Sequence, residues 1–142
     1  MKLPSLAALV LALTGLSAGT LLADDDPSPG QIVYLSSCAS CHQVDGTGTP
    51  TMQPGFVNNP IVTGDSALLI NIVLKGPANV LPADRPHFTN TMDAFSYKLE
   101  DQQIADVLTY IRKEFGKGAA PIDVKEDAAA RAKMDADDKA KK

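Results

Sequence analysis

The sequence predicts an all-α fold in which three to four helices are joined by long loops. Three observations predict this fold class. The stretch from Asp101 to Phe115 repeats its apolar residues every three to four positions, the period of an amphipathic helix. The apolar run after Asp65 stops at Lys75-Gly76-Pro77, a typical helix end. The long segments between these helices are rich in Gly, Pro, Thr and Asn and show no helical period.

The first helix is expected from about Pro29 to Ser37. Ser28 is a favoured N-cap residue, and proline suits the first helical position because the N–H it lacks would have no helical partner there. This helix leads the chain directly into Cys38.

The two later helices are bounded by similar signals. Asp65 is the expected N-cap of the second, whose many apolar residues indicate packing on more than one side. In the last helix, Asp101 lies at the positive end of the helix dipole and Arg112 in the last turn, where each charge is favoured. The charged tail, residues 117–142, has few residues to bury and is expected to be a weak helix or disordered.

Residues 1–23 are predicted to be a secretory signal peptide, with a short positive start, an apolar stretch and cleavage after Ala23. Cleavage near Gly19 and an uncleaved membrane anchor are the alternatives. Residues 24–28 then form a polar leader and residues 29–116 one domain. The predicted location is therefore periplasmic.

The net charge argues against two classes of partner. Cleavage removes Lys2, the only charge in the segment, so the net charge changes from −4 to −5. A negative protein is a poor match for nucleic acid or for an anionic membrane surface.

The chemistry is predicted to centre on Cys38-Ala39-Ser40-Cys41-His42. Two thiols three positions apart, followed at once by histidine, form the C-x-x-C-H signal for covalent attachment of a c-type haem. The two thiols join the ring, and His42 becomes the proximal iron ligand with its other nitrogen free to donate a hydrogen bond. The predicted cofactor is one haem c with its iron.

Three other interpretations of the cysteines account for less of the sequence. A thioredoxin-like motif expects a βαβ context, which the sequence does not indicate. A structural zinc site needs four ligands, and the chain has two cysteines and two histidines in all. A disulfide leaves His42 unexplained.

The loop from Gln43 to Pro60 is long enough to wrap one face of the haem. The carbonyl of Pro54 is the candidate acceptor for the free His42 nitrogen. On spacing alone, Pro54 is equally well explained as a turn residue.

Met92 is the candidate for the other axial position, although a loop methionine is more often a gap-filler. Met1 is lost with the signal peptide, and Met134 lies in the charged tail. Met52 is only ten residues beyond His42, too near to reach the opposite face easily. His87 is the serious competitor, in the same loop as Met92.

Together these features resemble class I c-type cytochromes over roughly Gly30 to Gly116. Met92-Asp93-Ala94-Phe95 is similar to the family's sixth-ligand segment, and residues 103–112 are similar to its C-terminal helix. The resemblance implies a cytochrome c fold wrapped around one covalent haem, with Met92 as a ligand and Pro54 as the acceptor from His42. It also implies that Gly30 and Tyr34 cross the last helix at Val107 and Tyr110.

Departures from the family pattern stand at three positions: Asp93 replaces a proline, Glu100 a capping serine and Phe115 a tryptophan. None of them removes a ligand. The Asp45–Gly48 and Pro121–Val124 segments are similar to small monohaem proteins and haem domains that serve periplasmic dehydrogenases.

The expected function is transfer of single electrons by an exported monohaem protein, from a periplasmic dehydrogenase to an oxidase or other terminal acceptor. Such a carrier is not itself an enzyme and docks with its redox partners transiently. A haem subunit of a dehydrogenase complex and a five-coordinate haem peroxidase or gas sensor are the alternatives. A membrane association is expected only if the signal segment stays uncleaved.

Overall fold

A computed structural model describes residues 26–141, and the predicted signal peptide lies outside them. The described chain is all-α. Its helices are α1 (Pro29–Ser37), α2 (Ala39–His42), α3 (Pro60–Thr63), α4 (Ser66–Lys75), α5 (Asp101–Glu114) and α6 (Val124–Ala140), with a 3-10 turn at Pro77–Asn79. Within residues 26–141, none of these helices has both the length and the apolar character needed to cross a bilayer.

The helix ends follow the capping signals. Ser28 Oγ accepts from the Gln31 backbone N–H at 3.2 Å, and Asp65 Oδ1 accepts from the Ala67 N–H at 2.9 Å. Glu100 caps α5 in place of the family's serine, with its own N–H donating to Gln103 Oε1 at 3.0 Å. These contacts satisfy backbone groups that a helix start leaves unpaired.

The core lies where α1 crosses α5. A Cβ atom on Gly30 would lie 2.1 Å from the Asp106 carbonyl oxygen and 2.9 Å from Tyr110 Cβ. Tyr34 is fully buried, and its ring centroid lies 5.3 Å from that of Tyr110. The predicted crossing through Gly30 and Tyr34 is confirmed, and glycine allows the close approach of the two backbones.

The C-terminal tail is helical, one of the two alternatives that the sequence predicted, but its packing against the rest of the domain was not predicted. Residues 124–140 form a continuous helix that packs on α4 and α5. Ile122 and Asp127 are buried, and Ser66 Oγ donates to Glu126 at 2.6 Å. The tail therefore has buried contacts that its composition does not indicate, because they are made with residues distant in sequence.

The short helix α3 was also not predicted. Asn59 Oδ1 accepts from the Ile61 N–H at 3.0 Å, and Pro60 occupies the first helical position. Arg112 Nη2 donates to the Gly64 carbonyl at 2.8 Å, which links the end of α3 to α5. The predicted loop of residues 43–60 thus ends in a helical turn that is joined to the core.

Candidate functional site

The two cysteines lie on one helical turn at the junction of α1 and α2. Cys38 is the C-cap of α1, and its carbonyl accepts the backbone N–H of Cys41 at 3.1 Å and of His42 at 2.9 Å. The two cysteines form no disulfide within residues 26–141; Cys38 is partly buried and Cys41 is exposed. Because residues three apart on a helical turn lie on the same side, both thiols can reach one ligand.

His42 is held by the loop that follows it. Its Nδ1 lies 2.9 Å from the carbonyl oxygen of Pro54. A carbonyl only accepts, so Nδ1 carries the proton and Nε2 keeps its lone pair. The hydrogen bond predicted between these two residues is therefore present, and it orients the imidazole with one nitrogen free for a metal.

Burial lowers the pKa of His42, and the hydrogen bond to Pro54 opposes this shift. The side chain is 7% exposed. Burial disfavours the charged imidazolium, and only the neutral imidazole binds a metal. The surroundings of His42 thus favour the ligating form.

A compact turn supports Pro54. Gly48, with φ of +69°, packs so closely that a Cβ atom on it would lie 2.6 Å from the Pro54 carbonyl oxygen. The Gly48 N–H donates to the His42 carbonyl at 2.9 Å. Asp45 Oδ1 accepts from the Thr47 hydroxyl at 2.7 Å. The Asp45–Gly48 segment noted in the sequence therefore sets the distance between Pro54 and His42.

Phe56 is a site residue that sequence reasoning missed. Its ring stacks on the His42 imidazole at 4.3 Å between centroids and 23° between planes. It also packs against two other aromatic rings, with centroid distances of 6.3 Å to Tyr34 and 6.1 Å to Phe115. The sequence did contain one indication of this role. Phe56 lies two residues after Pro54 and is the only aromatic residue between residues 43 and 60.

Among the candidates for the other axial position, Met92 is partly buried against the core, whereas Met52 and His87 are exposed. The Thr89 N–H donates to the Thr51 carbonyl at 2.9 Å and the Asn90 N–H to the Met52 carbonyl at 3.2 Å. The loop of Met52 is therefore joined to the loop of Met92, a contact that sequence spacing did not indicate.

The cysteines fit thioether attachment better than the alternative chemistries. Burial and the neighbouring Cys41 raise the pKa of the Cys38 thiol to about 11. A thiol oxidoreductase needs the opposite shift, because the thiolate is the nucleophile. Residues 26–141 also contain no group of three or more His, Cys, Asp and Glu side chains that could hold a metal ion, as a zinc site would require.

A helical domain with two cysteine side chains on one turn, and an adjacent histidine oriented by a backbone carbonyl, has the architecture of a c-type haem protein. The Cytochrome c family model matches residues 27–114, and the chain belongs to this family. Its cofactor is one covalent haem c with iron, and Cys38 and Cys41 fit the attachment motif. The protein is an electron-transfer haem protein, and cytochrome c carriers are generally not enzymes.

Relatives of two kinds are similar to the chain. It is 41% identical over 118 residues to the gluconate 2-dehydrogenase cytochrome c subunit of Pantoea cypripedii, and 40% identical over 95 residues to the alcohol dehydrogenase (quinone) cytochrome c subunit of Gluconobacter oxydans. These alignments cover 80% and 63% of the chain but only 26% and 19% of the relatives. Cytochrome c-552 of Thermus thermophilus is 32% identical, with 83% of the chain and 82% of the relative covered.

Proposed function

We propose that this chain is an exported, periplasmic carrier of single electrons that accepts them from a dehydrogenase and passes them to a terminal acceptor. The observation that carries the proposal is the turn of Cys38 to His42 with the imidazole held by Pro54. Haem c supplies a one-electron couple between ferric and ferrous iron. The signal peptide predicted at residues 1–23 supports export, and the oxidising compartment it leads to is where such haems are attached.

In this proposal His42 would hold the iron through Nε2, and Met92 would supply the second protein ligand. With both of these residues as ligands, no position would be open for a substrate, so the chemistry that a bound haem would supply is electron exchange alone. The neutral thioether sulfur of Met92 favours ferrous iron and raises the reduction potential. The packing of Phe56 on His42 keeps water from the proximal side and limits movement of the ring between redox states.

The dehydrogenase assignment rests on the relatives, whose names specify gluconate and alcohol dehydrogenases. The relatives also include cytochrome c-552, whose name specifies no dehydrogenase. We therefore place a dehydrogenase on the donor side and an oxidase or another redox protein on the acceptor side, both bound transiently.

The test is reduction of the purified ferric protein by an extract of the source organism. Gluconate or ethanol should reduce the haem within the assay, and the extract without substrate should not. Reduction by dithionite alone, with neither substrate effective, argues against a dehydrogenase donor. Gel filtration of the unfractionated extract separates the two assemblies, because a subunit of a complex elutes with dehydrogenase activity and a free, cleaved carrier elutes below the 14.9 kDa of the full 142-residue chain.

A five-coordinate haem enzyme or gas sensor is the second candidate, favoured by Asp93 in place of the family's proline. The structure shows Asp93 paired with Lys98 at 3.3 Å, although both side chains are exposed. Carbon monoxide distinguishes the two functions. Fast, complete binding to the ferrous protein at neutral pH supports the open site, whereas slow or partial binding supports the six-coordinate carrier.

A further inference from the structure

The segment that follows Met92 reaches α5 without forming a helix or strand of its own, so other elements must hold it. On one side α4 does so. The Phe95 N–H donates to the Val73 carbonyl at 2.9 Å, and the Ser96 N–H donates to the Leu74 carbonyl at 3.3 Å. A Cβ atom on Gly76 would lie 3.1 Å from the Met92 carbonyl oxygen, so the methionine backbone lies against the end of α4.

On the other side the segment is held by one side chain from α6. Arg131 Nη1 donates to the Ser96 carbonyl, Nη2 donates to the Leu99 carbonyl at 2.7 Å, and Nε pairs with the Asp101 carboxylate. The Arg131 side chain is only 20% exposed. Hydrogen bonds from a charged donor are the strong ones, and they are screened little when partly buried.

The geometry of the guanidinium explains why arginine suits this position. Its planar group offers five N–H donors in fixed directions, so it can bind two carbonyls and one carboxylate at once. A lysine has a single donor nitrogen and cannot reproduce the arrangement. Ser96 lies four residues beyond Met92, and its backbone is bonded to α4 through the N–H and to α6 through the carbonyl.

We propose that Arg131 is a positioning residue for Met92. By fixing the carbonyls of Ser96 and Leu99, it limits the movement of the methionine segment away from the haem face. The proposal rests on Met92 being the sixth ligand. Residue 131 lies beyond the part of the chain matched by the Cytochrome c family model, residues 27–114, so α6 adds this restraint from outside the matched region.

The test compares haem-loaded Arg131→Gln with Lys133→Gln, which removes one positive charge from an exposed position on the same helix. The readout is displacement of the weak far-red band of the ferric protein by added imidazole. We expect Arg131→Gln to bind imidazole about tenfold more tightly than the parent, equivalent to about 1.4 kcal/mol, within the range for hydrogen bonds to a charged group. Lys133→Gln should match the parent, and Arg131→Lys should lie between them.

Far-ultraviolet circular dichroism separates positioning from simple docking of α6. Unchanged helix content together with tighter imidazole binding supports the proposal. If both Arg131 variants lose helix content together with the far-red band, the residue only docks α6. If Arg131→Gln and Lys133→Gln bind imidazole with equal affinity, the proposal is overturned directly. If the band survives in Met92→Ala, the sixth-ligand assignment and the Arg131 proposal both fail. If Met92→Ala loses the far-red band but Arg131→Gln binds imidazole like the parent, only the Arg131 proposal fails.

Discussion

The crossing of α1 and α5 gives the sharpest stability prediction, because Gly30 has no room for a side chain. A Cβ atom there would lie 2.1 Å from the Asp106 carbonyl oxygen, which belongs to the backbone and cannot rotate away. Relieving the overlap requires the helices to separate, and overpacking of this kind costs roughly 1–3 kcal/mol or more. Alanine has a higher helix propensity than glycine, and this difference offsets about 1 kcal/mol of the packing cost. Because the overlap is with backbone atoms, the packing cost should be at the upper end of this range, and we expect Gly30→Ala to lower the free energy of unfolding by about 2 kcal/mol net.

The assay is reversible denaturation of the haem-loaded protein, followed by circular dichroism. At roughly 4 °C per kcal/mol, a loss of this size lowers the thermal midpoint by about 8 °C. Gly30→Val should lower it further, because its side chain is larger. Gln31→Ala, on the same helix, should stay within about 0.5 kcal/mol of the parent. A Gly30→Ala protein as stable as the parent, or more stable, would refute the close crossing and leave helix propensity as the dominant effect.

Three further predictions concern the ligand, the pH dependence and the partner. Met92→Ala should abolish the far-red band of the ferric protein and lower its potential, while His87→Ala leaves both unchanged; a band that survives Met92→Ala contradicts the assignment. Burial, then the neighbouring Asp101, raise the pKa of Asp127 from 3.8 to about 7, so the free energy of unfolding should fall as pH rises from about 4 to about 7 and level off above that. Asp127→Asn should remove roughly 2–4 kcal/mol of this fall, as measured by urea denaturation at pH 4.5 and at pH 8. An equal change in the free energy of unfolding between these two pH values in both proteins would contradict the prediction. Electron-transfer rates with the natural partner should depend on ionic strength if Lys75 and other cations near the methionine side steer docking, whereas flat rates from low to high salt favour shape and apolar contact.

Local signals explain why the ends of three helices could be predicted from the sequence. Ser28 and Asp65 act through hydrogen bonds that span two or three residues, so the sequence contains both partners. The same logic applied to Asn59 and Pro60 would have predicted α3. The site was predictable for a similar reason, because the attachment chemistry depends on the five consecutive residues from Cys38 to His42.

Contacts between distant parts of the chain could not be predicted in the same way. Phe56 stacks on His42 because the loop folds back so that Pro54 meets the histidine. The composition of the loop does not predict this path. The stability of α6 depends on partners about thirty residues away, such as Asp101 for Arg131. A helix with few apolar residues can dock through hydrogen bonds of this kind, and hydrophobic periodicity does not detect them.

The docking of α6 also determines where the folding unit ends. The family resemblance stops near residue 114, but Ile122 is 6% exposed and its N–H donates to Thr109 Oγ1 at 2.9 Å. Packing against the core therefore extends along α6 as far as Met134, about 20 residues beyond the family boundary. A domain excised by sequence similarity alone would lose these contacts and expose the surface of α5 to proteases. Transplanting this haem module into another protein accordingly requires the chain through Ala140, with the fusion joined beyond it.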